Sequence, residues 1–442
     1  MSQEKLFTKN KCAQLYFPFR KVRHIINFSN LLFESMASFF SIKILDKVAI
    51  GATRSLGWEV LITIISFPTA ILVNRTLGAE DRGLFSLVIL VPYTVSRLGT
   101  CQWDRTVKGL ITSKQISSKE AWRRTIFYTY KLSFLFIPIG IIASLAYGPI
   151  PLNARLISAL YAFNFPFFLL SVSISSIYLA SGAIDTQYLI RLAYQVSYLI
   201  LVLGTILSGS LSVASLVLIN IAIWFTSVVI GFFKKEQIFN GLTIAAKPPT
   251  SHLTKAFLPY AFESLSVNAD IWAFSFFGSL ATLGSYVAIA SLMQPVGLVS
   301  NAFTSASTAN LDWTKPSIVR HYLLKTVVIM SFLLLGLFIA GKFLAPFILG
   351  QILGKTFQNG EWMIPWMATI FVFKSLAMQF QFALQLSGKE NAYWKIQTLE
   401  APLLGIMLCI FGYFMSELGI LIALVLNSII KCVICLFSSS ST

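Results

Sequence analysis

Eight side chains able to do ionic or amide chemistry stand in stretches of this sequence that are otherwise apolar: Glu59, Lys131, Arg191, Glu263, Asp270, Lys374, Gln381 and Gln385. A charge at bilayer depth costs about 2.5–3.5 kcal/mol on insertion scales, so each such group needs a partner, water or a task. Spacing gathers most of them into stripes. Glu59, Thr63 and Ser66 fall at i, i+4 and i+7 of one helical face, and Glu263, Ser266 and Asp270 at i, i+3 and i+7 of another. Lys374, Met378, Gln381 and Gln385 make a third stripe, Arg191 with Gln195 a fourth, and Lys131 stands alone. Such stripes suit a hydrated cavity better than acyl chains. Plainer readings stand beside this one. Glu59, Arg191 and Lys131 could snorkel to the headgroups, and Glu263 and Asp270 could be helix-pairing hydrogen-bond partners.

Catalytic chemistry is harder to find. His24, His252 and His321 lie apart from any carboxylate or cysteine cluster. Gly350-Gln-Ile-Leu-Gly354-Lys355-Thr356 has one residue too few between its glycines for a phosphate-binding loop. The five cysteines form no framework, and Cys432-x-x-Cys435 lies in an apolar run without histidine partners, where packing is the better reading. The sequence therefore predicts no enzyme, no cofactor and no metal site.

The elements that must hold the eight side chains are membrane helices. The chain of 442 residues is 56% hydrophobic and only 12% charged, against about 25% in a soluble domain, and its mean hydropathy is +0.76. Twelve apolar segments are long enough to cross a bilayer, the first two at 57–74 and 84–102 and the last at 417–437. They divide six and six. The halves also echo each other about 205 residues apart. Gly83 with Phe85 superposes on Gly284 with Tyr286, Glu59 on Glu263, Ser181-Gly182 on Ser387-Gly388, and Tyr188 on Tyr393. A repeat this long is a duplicated half, a hallmark of transport folds with a site between the halves. With six crossings in each, both halves enter from one side, and their symmetry axis lies along the membrane normal.

The net charge of +17 reports orientation and not nucleic-acid binding. With the amino terminus inside, most Lys and Arg fall in inner stretches, while outer ones keep only Arg75, Arg82, Arg155, Lys342 and Lys355. That bias predicts a multi-pass protein with both termini cytoplasmic. Pro92, Pro138, Pro166, Pro295 and Pro365 interrupt long apolar helices and free backbone carbonyls for neighbours or water. The predicted fold class is all-α and polytopic: about twelve helices in two six-helix lobes around a central cavity. Residues 1–50 form an extension, 51–235 the first lobe, 236–255 a cytoplasmic linker and 256–442 the second lobe. The extension reads either as an interfacial helix over 31–49 or as leader sequence before a start at Met36.

The run Asn74-Arg75-Thr76-Leu77-Gly78-Ala79-Glu80-Asp81-Arg82-Gly83-Leu84-Phe85 resembles the Wzx-type polysaccharide and O-antigen flippases of the multidrug/oligosaccharidyl-lipid/polysaccharide exporter (MOP) superfamily. Ser181-Gly182, Ser387-Gly388 and Asn268-Ala269-Asp270 add to the resemblance, which covers roughly residues 50–437. It implies alternating access and a substrate: an oligosaccharide on an undecaprenyl-pyrophosphate carrier, bound for lipopolysaccharide or another surface polysaccharide. The expected location is the bacterial inner membrane. Membrane lipids surround the protein there, and a polysaccharide polymerase and chain-length proteins are further expected partners. On that reading Lys131, Arg191 and Lys374, with Gln381 and Gln385, offer the head group positive charge and hydrogen bonds. Glu59, Glu263 and Asp270 offset those charges or carry protons. A cation-coupled multidrug exporter of the same architecture, with a net acidic cavity, is the nearest rival. A membrane polysaccharide polymerase, which needs a large external loop, is a further one.

Overall fold

Periodic apolar sequence gives continuous helix, and glycine, proline and strained turns decide where it bends. In the computed structural model the described residues are 45–112, 115–236, 251–293, 297, 316–386 and 390–440. Helix α1 (Leu45–Gly99) makes two crossings about a bend at Gly78, whose φ of 76° and ψ of 178° suit only glycine. The short α2 (Trp103–Thr112) precedes α3 (Ser118–Ala146). Next come α4 (Leu152–Tyr161), a 3-10 turn (Ala162–Asn164) and α5 (Phe165–Ala180), which share one interrupted crossing. Helices α6 (Ile184–Leu207) and α7 (Val213–Phe233) complete the first lobe.

The second lobe opens on α8 (Ser251–Ser266) and α9 (Ala269–Phe277), one crossing broken at Val267 and Asn268. Helix α10 (Leu280–Leu292) follows. Helix α11 (Pro316–Phe347) reaches α12 (Met363–Leu386) through a π-helical turn (Ile348–Leu353) and a 3-10 turn (Lys355–Gly360). Helix α13 (Glu390–Ser440) supplies the last two crossings, folding back at Ser416. Among the described residues the chain is thus an all-α multi-pass membrane protein, its helices belonging to twelve crossings in two lobes. A belt of exposed apolar side chains, among them Phe134, Leu207, Phe332 and Phe414, covers its flanks.

Several boundaries differ from the sequence expectation. Segments 57–74 and 84–102 are limbs of one bent rod, because nothing but Gly78 interrupts their helical pattern. The boundary at residue 50 falls inside α1. The link at 103–123 carries α2. Residues 1–44, including Met36, lie outside the described residues, as do Pro295 and most of the 236–255 linker.

Three cores show how the lobes meet. The end of the bundle near Gly78 and Ser416, here the far end, holds one core shared by both lobes, where Phe85, Leu87 and Val91 pack with Tyr286, Ile289 and Met367. At the opposite, basic end the core divides. Trp103, Trp122 and Tyr178 belong to the first lobe's cluster, and Tyr322, Phe380 and Cys435 to the second's. The far-end seam is the second limb of α1 against α10. There Gly83 lies on the Leu280 carbonyl and Gly284 on the Ala79 carbonyl, so close that any Cβ would overlap backbone. The two glycines matched by the internal repeat therefore face each other, as equivalent residues do on a two-fold axis. Apolar burial drives helices together weakly in lipid, and close packing over small residues does that work instead.

Candidate functional site

Each of the three acids already has a partner. Glu59 on α1 is buried and accepts a two-pronged contact from Arg191 of α6, at 2.5 and 3.0 Å. Trp58 stacks on Tyr188 beside it and donates to Asp185 at 3.3 Å, while Arg191 lies over the Tyr188 ring. This tie sits wholly inside the first lobe. Glu263 on α8 is held in the same way by Arg105 of α2, at 2.8 and 2.5 Å, and that tie crosses between the lobes. Asp270 opens α9, where one carboxylate oxygen accepts the Ile271 amide at 2.9 Å and the other accepts the Tyr286 hydroxyl at 2.5 Å.

Glu59 and Glu263, matched by the repeat, thus do different jobs. One braces a lobe. The other joins two.

The cations are less well met. Lys374 is exposed on α12 and, among the described residues, makes no ion pair. The face it occupies changes character along its length. Met363, Met367 and Ile370 at the far-end half are buried in the shared core, while Lys374 and Met378 are exposed where the cores have parted. Gln381 is buried again, with its amide nitrogen unpartnered. Gln385 belongs to α12, but its side chain lies outside the described set. Lys131 sits over the Phe127 ring at 4.5 Å among exposed Tyr130, Phe134 and Leu135. The structure groups Lys131 with the apolar flank of α3 and with none of the other candidates.

Sequence reasoning missed the group that ties the lobes at the basic end. Trp103, Val107 and Leu110 recur at i, i+4 and i+7 and pack α2 onto the first lobe, a period readable in the sequence. The opposite face presents Arg105 to the second lobe. Cys101 and Gln102 precede α2 with φ of 47° and 60°, a left-handed pair that costs non-glycine residues roughly 1–2 kcal/mol each. The Thr100 hydroxyl braces this turn by donating to the Arg97 carbonyl at 2.9 Å. Tyr260 of α8 meets Thr100 at 2.5 Å and the Arg97 carbonyl at 3.1 Å, and its ring lies under Arg105. A strained turn is therefore held by contacts from the other lobe. Among the described residues no three His, Cys, Asp or Glu side chains cluster as metal ligands. A surface pocket of about 500 Å³ lined by Trp394, Lys395, Thr398 and Leu399 on α13 contains none of the candidates.

The arrangement is two six-helix lobes sharing a core at one end, with charged ties at the other, and solved structures of the same fold are membrane transporters. The chain is similar to lipid II flippase MurJ in an inward closed conformation, with a TM-score of 0.60 and 14% identity over 86% of this chain and 87% of that one. It is similar to a MOP superfamily transporter from Pyrococcus furiosus, described as having a binding pocket of reversed polarity, at 0.60 and 14% over 90% and 96%. An inward-facing multidrug resistance MATE family transporter of the same superfamily gives 0.58 and 13% over 86% and 95%. No protein-family model and no curated protein matches the sequence. At these identities the likeness is one of fold.

Proposed function

We propose that this protein is a Wzx-type flippase, moving a lipid-linked oligosaccharide from the inner to the outer leaflet of a bacterial cell membrane by alternating access. The basic end faces the cytoplasm on this reading, in keeping with its excess of Lys and Arg. One observation carries the choice of cargo. Glu59 and Glu263 are each ion-paired with an arginine and Asp270 accepts a tyrosine hydroxyl, whereas Lys374 is exposed without an ion pair among the described residues. Lys374 thus offers a positive charge. A pyrophosphate-linked head group suits it, because a charge-assisted contact strengthens where water is scarce. A cationic drug would meet repulsion there.

The lobes supply the movement. A shared far-end core and divided basic-end cores support rocking about the seam, with the contacts from α2 to α8 holding the basic end shut. The likeness to a protein described as a lipid II flippase supports the same cargo class.

Replacing Lys374 with Ala, or Asp270 with Ala, should abolish surface polysaccharide in a strain that depends on this protein, with normal amounts of each variant in the membrane. Normal polysaccharide in both variants removes these residues from the mechanism. Efflux of a cationic dye by the purified protein in vesicles, without movement of a pyrophosphate-linked glycan, would favour the multidrug exporter instead.

A further inference from the structure

Arg82 has no place in the scheme above. It stands near the start of the second limb of α1, within the first lobe, with its guanidinium over the Phe85 ring at 5.4 Å. Its Nε is buried without a hydrogen-bond partner, and among the described residues no carboxylate pairs with it. Arg82 keeps partial exposure, so the rest of its guanidinium can meet a ligand, and a cation without a carboxylate partner suits an anion that comes and goes.

What surrounds Arg82 narrows the choice. Tyr198 of α6 is near enough for the two groups to act on each other electrostatically. Tyr194, one turn away on the same face, stacks edge-on against Trp224 of α7 at 5.1 Å, and Trp224 meets Phe168 at 5.1 Å. Tyr93 meets Phe168 at 5.5 Å from α1. At the 3-10 break of the α4–α5 crossing, Asn164 donates to the Tyr161 hydroxyl, which donates on to Asn220, each at 3.2 Å. The Asn164 carbonyl oxygen is left unpartnered although Asn164 is only 1% exposed. Arg82, Tyr93, Tyr194, Tyr198, Asn220 and Trp224 all keep partial exposure.

The column has chemistry with direction. One end offers a guanidinium fork, shaped for the paired oxygens of a phosphate or carboxylate. The other has a buried carbonyl that needs a hydroxyl donor. Between them run phenol hydroxyls and aromatic planes. Arg82 and Tyr93 lie eleven residues apart on one helix, which spans about 16 Å at 1.5 Å per residue. That length fits an extended ligand of about two sugar rings and exceeds a lone inorganic ion.

We infer that these side chains of the first lobe form a binding site for an acidic glycan, whose phosphate or carboxylate meets Arg82 and whose hydroxyls run along the tyrosines toward Asn164. The inference deepens the transport reading and rests on it for the expectation that a glycan passes. The oxyanion could be the phosphate joining sugar to lipid or an acid carried by the sugar itself, and both present paired oxygens to Arg82.

Tryptophan fluorescence of the full-length protein in detergent tests it, since Trp224 lies in the column. Glucose 1-phosphate, glucuronic acid and neutral glucose serve as probes. The acidic probes should bind at least tenfold more tightly than glucose. Arg82→Gln should weaken them at least tenfold and leave glucose unchanged, while Arg82→Lys keeps part of the preference. Relief of an unpaired cation means that Arg82→Gln should not lower the thermal midpoint of the ligand-free protein, whereas loss of a purely structural arginine would lower it. Binding of glucose 1-phosphate alone assigns the oxyanion to the lipid linkage, and binding of glucuronic acid assigns it to the sugar. Either result supports the site. Acidic probes that bind no better than glucose, or equally to wild type and Arg82→Gln, overturn it. The titration reads no transport, so intact binding with failed glycan movement would count against the flippase reading alone.

Discussion

The pairing of Glu59 with Arg191 shows what a charge at membrane depth is worth once its partner is known. Glu59 has a side chain 8% exposed, while that of Arg191 is 40% exposed. Removing Arg191 therefore strands a buried carboxylate, but removing Glu59 leaves an arginine that can still find water. Arg191→Gln should destabilise the protein more than Glu59→Gln, and the double variant less than the sum of the two. A double-mutant cycle on thermal unfolding should give a coupling of about 0.5–3 kcal/mol. Additive losses would mean that the contact contributes nothing. Both residues were visible in the sequence as oddities, each a charge within a polar stripe of an apolar run. Their union was not, because 132 residues separate them and helical periodicity says nothing about which faces of distant helices meet. Glu263 makes the same point more sharply. Its repeat match to Glu59 suggested an equivalent role, yet its arginine comes from the other lobe. Lys131 is the opposite case: spacing could not tell a cavity-facing lysine from one lying along exposed aromatic rings.

At the scale of elements, α2 is a short amphipathic helix whose two faces serve different lobes. Trp103, Val107 and Leu110 anchor it to the first, and Arg105 reaches Glu263 of the second. The left-handed turn at Cys101 and Gln102 stays strained only while its surroundings over-determine it, and Tyr260 is part of those surroundings. Breaking the tie should let the turn relax. Cys101, half-buried in that turn, is a built-in reporter. With the other four cysteines replaced by serine, Glu263→Gln or Tyr260→Phe should speed maleimide labelling of Cys101 several-fold. A vesicle preparation with an inward-facing basic end would show that gain only with a permeant reagent. An unchanged rate in both variants would mean that the tie does not gate this end. The long crossings were legible in the sequence because a run of about twenty apolar residues matches the thickness of the hydrocarbon and leaves no polar face for water. The breaks were legible only in part. Pro166, one of the prolines expected to interrupt a helix, stands in the first turn of α5 directly after the break at Ala162–Asn164. Val267 and Asn268 interrupt a crossing with no proline at the break itself, so local composition leaves that one open and the packing around it decides.

The whole molecule turns on the seam between Gly83 and Gly284. Internal similarity of the two halves singles out these positions as equivalent, and the structure sets them against each other at the far end, where the lobes share a core. A duplicated half brings this about naturally: the residue nearest the symmetry axis meets its own counterpart. The same geometry makes the seam intolerant. A methyl group on Gly83 would overlap the Leu280 carbonyl, and one on Gly284 the Ala79 carbonyl, both backbone atoms that cannot swing aside. Overpacking of that kind costs typically about 1–3 kcal/mol. Gly83→Ala and Gly284→Ala should each lower the thermal midpoint of the purified protein. Gly57→Ala, where a Cβ meets open space, should leave it unchanged or raised. The pair combined should lose less than the sum, because the first methyl already opens the gap that the second needs. If both single variants melt like the wild type, the lobes are not bound at these glycines. The fulcrum on which the proposed rocking depends would then lie elsewhere along α1 and α10.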